Sequence, residues 1–205
     1  MKTKIFRGIM TLIVIGSLSL SAHGASFNPS QARDHGAWSS LELSLGDRRF
    51  YRAVNVTDYS DMRVMVDFDS AECAPALEIQ IEFEQSFPET EDLGLRDIAI
   101  RVDRKPIHES LMGLSAISGD PTLYAQTLVG ELPRLISEMR FGSTLRFKFS
   151  LLGDDTDTRF AELSLKGSQA ALDRAAALCK QNQSSPEDYF DEKDVTNDES
   201  AADYF

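Results

Sequence analysis

The chain has 205 residues, 42% of them hydrophobic, with 21 Lys+Arg against 33 Asp+Glu. An N-terminal leader, residues 1–24, holds three of the basic residues and none of the acidic ones, so the chain without it carries a net charge of −15. Such a surface repels phosphate backbones and anionic lipid heads, which argues against nucleic acid or a membrane as the main partner, while about 180 residues suffice for one domain with its own core.

The leader reads in the order charge, apolar run, small residues: Lys2, Lys4 and Arg7, then Ile9 to Leu18, then Ala22 and Gly24 before Ala25. That order predicts a secretory signal peptide over residues 1–24, because the apolar run is short of the roughly 20 residues that span a bilayer. No cysteine lies near the cleavage point, which disfavours a lipid anchor. The expected product is soluble and exported, in the periplasm or secreted. It should comprise a polar segment over 25–36, a single domain over 37–180 and an acidic tail over 181–205.

Alternation of apolar and polar residues marks strands with one buried face. Leu41, Leu43 and Leu45 are expected inward on the first, and Phe50 to Val56 forms a less regular second. Val64, Val66 and Phe68 define a third, and Leu77, Ile79, Ile81 and Phe83 the clearest one. After the turn-rich SFPETEDLG, Ile98, Ile100 and Val102 give another strand, and Lys105 to Thr122 is expected to be irregular. Leu132, Leu135, Ile136 and Met139 then fall at helical spacing, with Pro133 in the first turn and Gly142 as the residue after the last. Leu145, Phe147, Phe149 and Leu151 resume the alternation, and the loop GDDTDT leads in a hairpin to a strand over Arg159 to Leu165. Ser168 is a plausible N-cap for a second helix, on which Leu172, Ala175, Ala176 and Cys179 share one stripe. The last 25 residues are too polar to bury a core and should be disordered. The predicted class is α+β: a mostly antiparallel sheet or sandwich of six or seven strands, two packed helices and a disordered acidic tail.

Cys73 and Cys179 are the only cysteines. No C-x-x-C is present, and neither cysteine sits in the basic, exposed setting that a reactive thiol needs. In an oxidising compartment an even pair is expected to be a disulfide, here one that staples the last helix to the sheet. Beyond the leader only His35 and His108 remain, and neither lies in a nucleophile elbow, a metal-binding pair or a phosphate loop. Asp154, Asp155 and Asp157 crowd one hairpin loop, but turn chemistry accounts for them more simply than calcium, and Asp67 and Asp69 on a wet strand face read as solvation. No cofactor or metal is expected.

Two features point to recognition. Arg96, Arg101, Arg104, Lys105 and His108 form a basic segment in an acidic protein, either a charged strand edge or a site for an acidic partner such as the protein's own tail. In that tail the tripeptide DYF occurs twice, placing Tyr189, Phe190, Tyr204 and Phe205 among acids, and exposed aromatics are frequent anchors of binding.

Phe160, Leu163, Leu165, Gly167, Ala170, Ala171, Leu172 and Cys179, in FAELSLKGSQAALDRAAALC, resemble the C-terminal end of small exported bacterial proteins of the invasion-associated locus B type. There a final strand runs through S-L-x-G into an alanine-rich helix that ends at a cysteine. The similarity spans about Leu132 to Cys179. It implies a periplasmic, non-enzymatic accessory or host-interaction role and supplies no catalytic residue. In that group a cysteine commonly follows soon after the first tryptophan, whereas Trp38 here is followed by Ser39, Ser40 and Leu41. The function expected is a non-catalytic binding or accessory protein whose partner is another protein of the cell envelope or of a host. The alternative is a periplasmic hydrolase that uses dispersed carboxylates.

Overall fold

The computed structural model describes residues 27–46, 48–56, 61–151 and 157–183. The stretch read as a signal peptide and residues 184–205 of the tail lie outside them. In chain order the elements are β1 (Asn28–Asp34), β2 (Trp38–Leu45), β3 (Arg48–Asn55), β4 (Met62–Asp69), β5 (Pro75–Glu82), β6 (Glu91–Val102), β7 (His108–Ala116), β8 (Thr122–Thr127), α1 (Leu132–Phe141), β9 (Thr144–Ser150), β10 (Thr158–Ser164) and α2 (Ser168–Gln181). The strands form one antiparallel sheet in the order β1-β2-β3-β4-β5-β8-β7-β6-β9-β10. The class is α+β with two helices, as expected, but the described sheet has ten strands and not six or seven.

The additional strands are β1, β7 and β8, and in the first two the side chains hide the alternation. In β7 the inward residues include His108 and Ser110 beside Met112, Leu114 and Ala116, while Leu111 points out, so the segment expected to be irregular does not look like a buried face. In β1 every residue is exposed, and the segment expected only to be polar is a strand held by backbone pairing to β2. A bulge between Ser30 and Arg33, with Gln31 at φ 52°, and Pro29 blunt this edge against pairing with other chains.

The sheet curls until its last strand meets its first ones. The Trp38 indole N–H donates to the Ser164 carbonyl at 2.9 Å, Asn55 Nδ2 reaches the same oxygen at 3.2 Å, and the Ala37 N–H donates to Lys166 at 3.0 Å. The inner face is one core. Val64, Val66, Leu77, Ile79, Ile100, Leu145 and Phe147 are buried there, as their spacing predicted.

β2 departs from its expected phase. Trp38, Ser40 and Glu42 are buried on one phase and Ser39 on the other, and Leu41, Leu43 and Leu45 are only half-buried on the outer face. Alternation leaves two phases open, one residue apart. Trp38 decides between them, because its volume and its donor are both accommodated inside. Ser40, opposite Ala53, then leaves room for the alanine face of α2, whose Ala171 and Ala175 are fully buried.

α2 packs on β2, β3 and β4, and α1 on α2, β5 and β6. Ser168 is not the N-cap. Gly167 takes that place at φ 94°, and the buried Ser168 hydroxyl lies 2.6 Å from the Met139 carbonyl and 2.8 Å from that of Leu165, tying α1 to α2. Gly142 follows α1 in extended backbone and not in the left-handed form. A side chain there would run into Val102 and the Glu138 carbonyl, so close approach is what requires glycine.

Candidate functional site

Cys73 and Cys179 are joined, with Cα atoms 5.8 Å apart and a sequence separation of 106. The bond pins the last turn of α2 to the tight β4–β5 connection, where Cys73 adopts φ 54° and the Asp69 side chain accepts the Ala71 N–H at 2.8 Å. This cysteine pair is a staple.

Other candidate residues have structural work. Asp67 is not merely solvating: it takes both donors of Arg52, at 2.7 and 2.6 Å, across β3 and β4. Asp157 accepts the Leu151 N–H at 3.1 Å and pairs with Arg159 at 3.4 Å, closing the β9–β10 hairpin, while Asp154 and Asp155 lie outside the described residues. Tyr189, Phe190, Tyr204 and Phe205 lie outside them as well.

His108 leaves the basic segment and turns inward. Its Nε2 is 3.0 Å from Glu138 Oε2 on α1, and both residues are 8% exposed. Burial pushes the Glu138 carboxyl up, but the His108 hydrogen bond and the charges of His108, Lys105 and Arg134 outweigh it and hold the group below its ordinary value. The stability this contributes is present above pH 4.5 and lost as the pH falls through the lowered value. Removing one member of a buried pair leaves the other uncompensated, so His108→Ala is expected to cost roughly 3 kcal/mol in urea unfolding. Partner binding of the folded fraction should be unchanged.

His35 is half-buried and lies 2.9 Å from the Ser40 hydroxyl, which also receives Arg174 at 3.0 Å. Burial, with Arg33 and Arg174 nearby, holds its imidazole below the usual 6.5. The unfolded chain therefore gains a proton first on acidification, and stability should fall as the pH drops below that value. His35→Gln should flatten this part of the pH profile in thermal melts between pH 7 and 5.

Arg101, Arg104 and Lys105 lie at one end of the outer sheet face, whereas Arg96 is apart from them and donates to the Leu151 carbonyl at 2.9 Å. Arg101 donates to the Lys105 carbonyl at 2.8 Å and the Arg104 carbonyl at 3.0 Å, closing the turn after β6, and Asp103 in that turn accepts the Thr144 N–H at 2.9 Å. Arg101 lies directly opposite Arg146 on β9, which pairs with Glu162 on β10 at 2.8 Å. The next row inward across the sheet is Glu109, Ala99, Lys148 and Phe160, and beyond it lie Leu111 and Asp97. Small Ala99 among longer neighbours leaves an open groove of about 730 Å³, lined by Asp97, Ala99, Glu109, Leu111, Leu128 and Lys148. Exposed apolar side chains stand around it: Leu95 (55%), Leu111 (40%), Leu128 (58%) and Phe160 (75%).

A solved structure is similar to part of this chain. The crystal structure of invasion associated protein B from Bartonella henselae matches 74% of this chain and 99% of its own, at 16% identity and a TM-score of 0.49. That is the type of protein that the C-terminal strand, glycine and helix resemble. No protein-family model matches the chain, and no curated protein matches it in sequence.

Sequence reasoning named Arg101, Arg104 and Lys105 but missed Ala99, Leu111, Leu128, Lys148 and Phe160. Their only local signal was an apolar residue on the wrong phase of a strand, as at Leu111 and Phe160. The Cys73–Cys179 bond fits an extracytoplasmic location. Among the described residues no helix is long and apolar enough to cross a membrane.

Proposed function

We propose that this chain is an exported, non-catalytic accessory protein that holds another protein, of the cell envelope or of a host, on the outer face of β6, β7, β9 and β10. The observation that supports this reading is one groove lined by the exposed Leu111 and Leu128 together with Asp97, Glu109 and Lys148, with exposed Leu95 and Phe160 on the strands beside it. Clustered exposed apolar side chains rimmed by polar ones are characteristic of protein contact sites. The basic N-terminal run and the disulfide support export.

The test compares the mature protein with Leu111→Asp/Leu128→Asp, both exposed positions, in affinity capture from periplasmic and host extracts. Wild type should recover a defined partner that the double variant loses. Recovery of the same proteins by both would exclude this face.

One observation favours a second reading: Asp97 and Glu109 line the same groove, and a carboxylate-dependent hydrolase needs acid and base in one cleft. Asp97→Asn/Glu109→Gln keeps shape while removing proton transfer. The binding reading expects capture to be unaffected by it. The hydrolase reading expects turnover of ester, peptide or glycoside test substrates by wild type and none by this variant.

A further inference from the structure

We propose that the chain's own segment 184–205 docks on this outer face, setting acidic side chains against Arg104, Arg146 and Lys148 and a Tyr-Phe pair into the groove beside Phe160. The proposal rests on the reading of this face as a binding surface and adds that its resident occupant is the tail.

Charge is the first argument. Residues 184–205 hold eight acids and one lysine. The protein is acidic overall, yet this end of the face sets Arg101, Arg104, Lys105, Arg146 and Lys148 against Asp103, Glu109 and Glu162. Three of the five cations, Arg104, Arg146 and Lys148, are exposed. Arg101 and Arg146 are direct cross-strand partners, and like charges so placed repel. Glu162 already pairs with Arg146 at 2.8 Å, and Arg101 spends donors on the turn carbonyls. A further carboxylate is therefore drawn chiefly to the exposed Lys148, Arg104 and Arg146, and in this chain the tail is the densest source of carboxylates.

Shape is the second argument. The groove adjoins the basic row, so a segment that alternates acids with aromatic pairs can satisfy both at once. The tail does so twice, with Asp188 before Tyr189 and Phe190, and Asp203 before Tyr204 and Phe205. Phe160, 75% exposed and opposite Lys148, supplies a ring edge for stacking.

Reach is the third argument. The described chain ends at Gln183, held to the β4–β5 corner by a 3.0 Å hydrogen bond from its side chain to the Ala71 carbonyl. Fully extended, the following segment can span about 70 Å, against roughly 40 Å for the width of a folded domain of this size. A tethered segment meets its site at an effective concentration on the order of 1 mM. A contact with a dissociation constant of about 0.1 mM in trans would therefore keep the face about nine-tenths occupied. An outside partner must displace the tail, so the tail sets a threshold for binding.

Zero-length carbodiimide coupling of the full mature chain, followed by mass spectrometry of the monomer band, tests this directly. Lys148 and Lys105 should couple to carboxylates of residues 187–203 at several times the yield of Lys166, an exposed lysine at the β10–α2 turn that serves as the internal control. Replacing Tyr189, Phe190, Tyr204 and Phe205 by Ser in the full chain keeps the charge and should bring that yield down to the control. The same variant should bind a synthetic peptide of residues 184–205 about tenfold more tightly than wild type does, because its groove is vacated. Equal yields at Lys148 and Lys166, or links confined to a dimer band, would overturn the proposal, the latter making a second copy the occupant. Preferential Lys148 coupling with no partner lost by Leu111→Asp/Leu128→Asp would leave the docked tail standing without the accessory function. Loss of a partner without preferential coupling would do the reverse.

Discussion

Gly167→Ala is expected to destabilise the fold by several kcal/mol. Gly167 sits at φ 94°, and a Cβ added there would fall within bonding distance of the His35 carbonyl oxygen. Both colliding groups belong to the backbone, so no rotamer change relieves the overlap. Left-handed strain alone costs roughly 1–2 kcal/mol for an L-residue. Relieving the overlap also means separating the β1–β2 turn from the β10–α2 turn. That separation breaks the Ala37 bond to Lys166 and the Trp38 bond to Ser164. Leaving a fully buried indole donor unsatisfied costs about another 1–3 kcal/mol. Against a total stability of about 5–15 kcal/mol, the sum should lower soluble yield and weaken the near-ultraviolet signal of Trp38, the only tryptophan. A variant melting within a few degrees of wild type would show that the two turns do not need to touch.

Loss of the disulfide should be the next largest effect. Cross-linking positions 106 residues apart restricts the unfolded chain, and the loop-entropy relation puts the stabilisation at roughly 4 to 5 kcal/mol at most. For a domain of this size each kcal/mol shifts Tm by about 2–4 °C, so Cys179→Ser or reduction should lower it by roughly 10 °C or more. The far-ultraviolet spectrum should keep its class, because the bond pins α2 to the β4–β5 corner and does not itself form a strand. Titration of the native protein, unfolded without reductant, should find no free thiol. Two free thiols, or an unchanged Tm on reduction, would refute the staple.

Strands were legible in the sequence where both faces obeyed the period. β4, β5 and β9 place Val64, Val66, Ile79, Ile81, Phe147 and Phe149 inside, with Met65, Gln80 and Lys148 at the alternate positions. α1 was legible for the same reason, since Leu135, Ile136 and Met139 form a stripe that nothing interrupts. β7 was not, because its inward positions include a histidine whose partner, Glu138, lies on a helix 30 residues later. β1 was not, because an edge strand with every side chain exposed carries no hydrophobic signal at all.

The candidate site divides in the same way. The local run of Arg101, Arg104 and Lys105 was visible as charge, and the Tyr-Phe pairs of the tail as composition. The groove was not visible, because Ala99, Leu111, Leu128 and Lys148 come from separate elements and only the sheet order β8-β7-β6-β9 sets them side by side.

By itself the sequence determined the class, the two helices and the pairing of Cys73 with Cys179, because periodicity and cysteine count are properties of the chain. Only the tertiary structure decided the phase of β2, the inward turn of His108, the need for Gly167 and the groove that Leu111 and Leu128 share with Asp97, Glu109 and Lys148. Each of these depends on which distant residue arrives opposite: Trp38 under Ser164, Glu138 beside His108, His35 against Gly167, Phe160 across from Lys148. Local pattern leaves those partners open, and long-range packing selects among them.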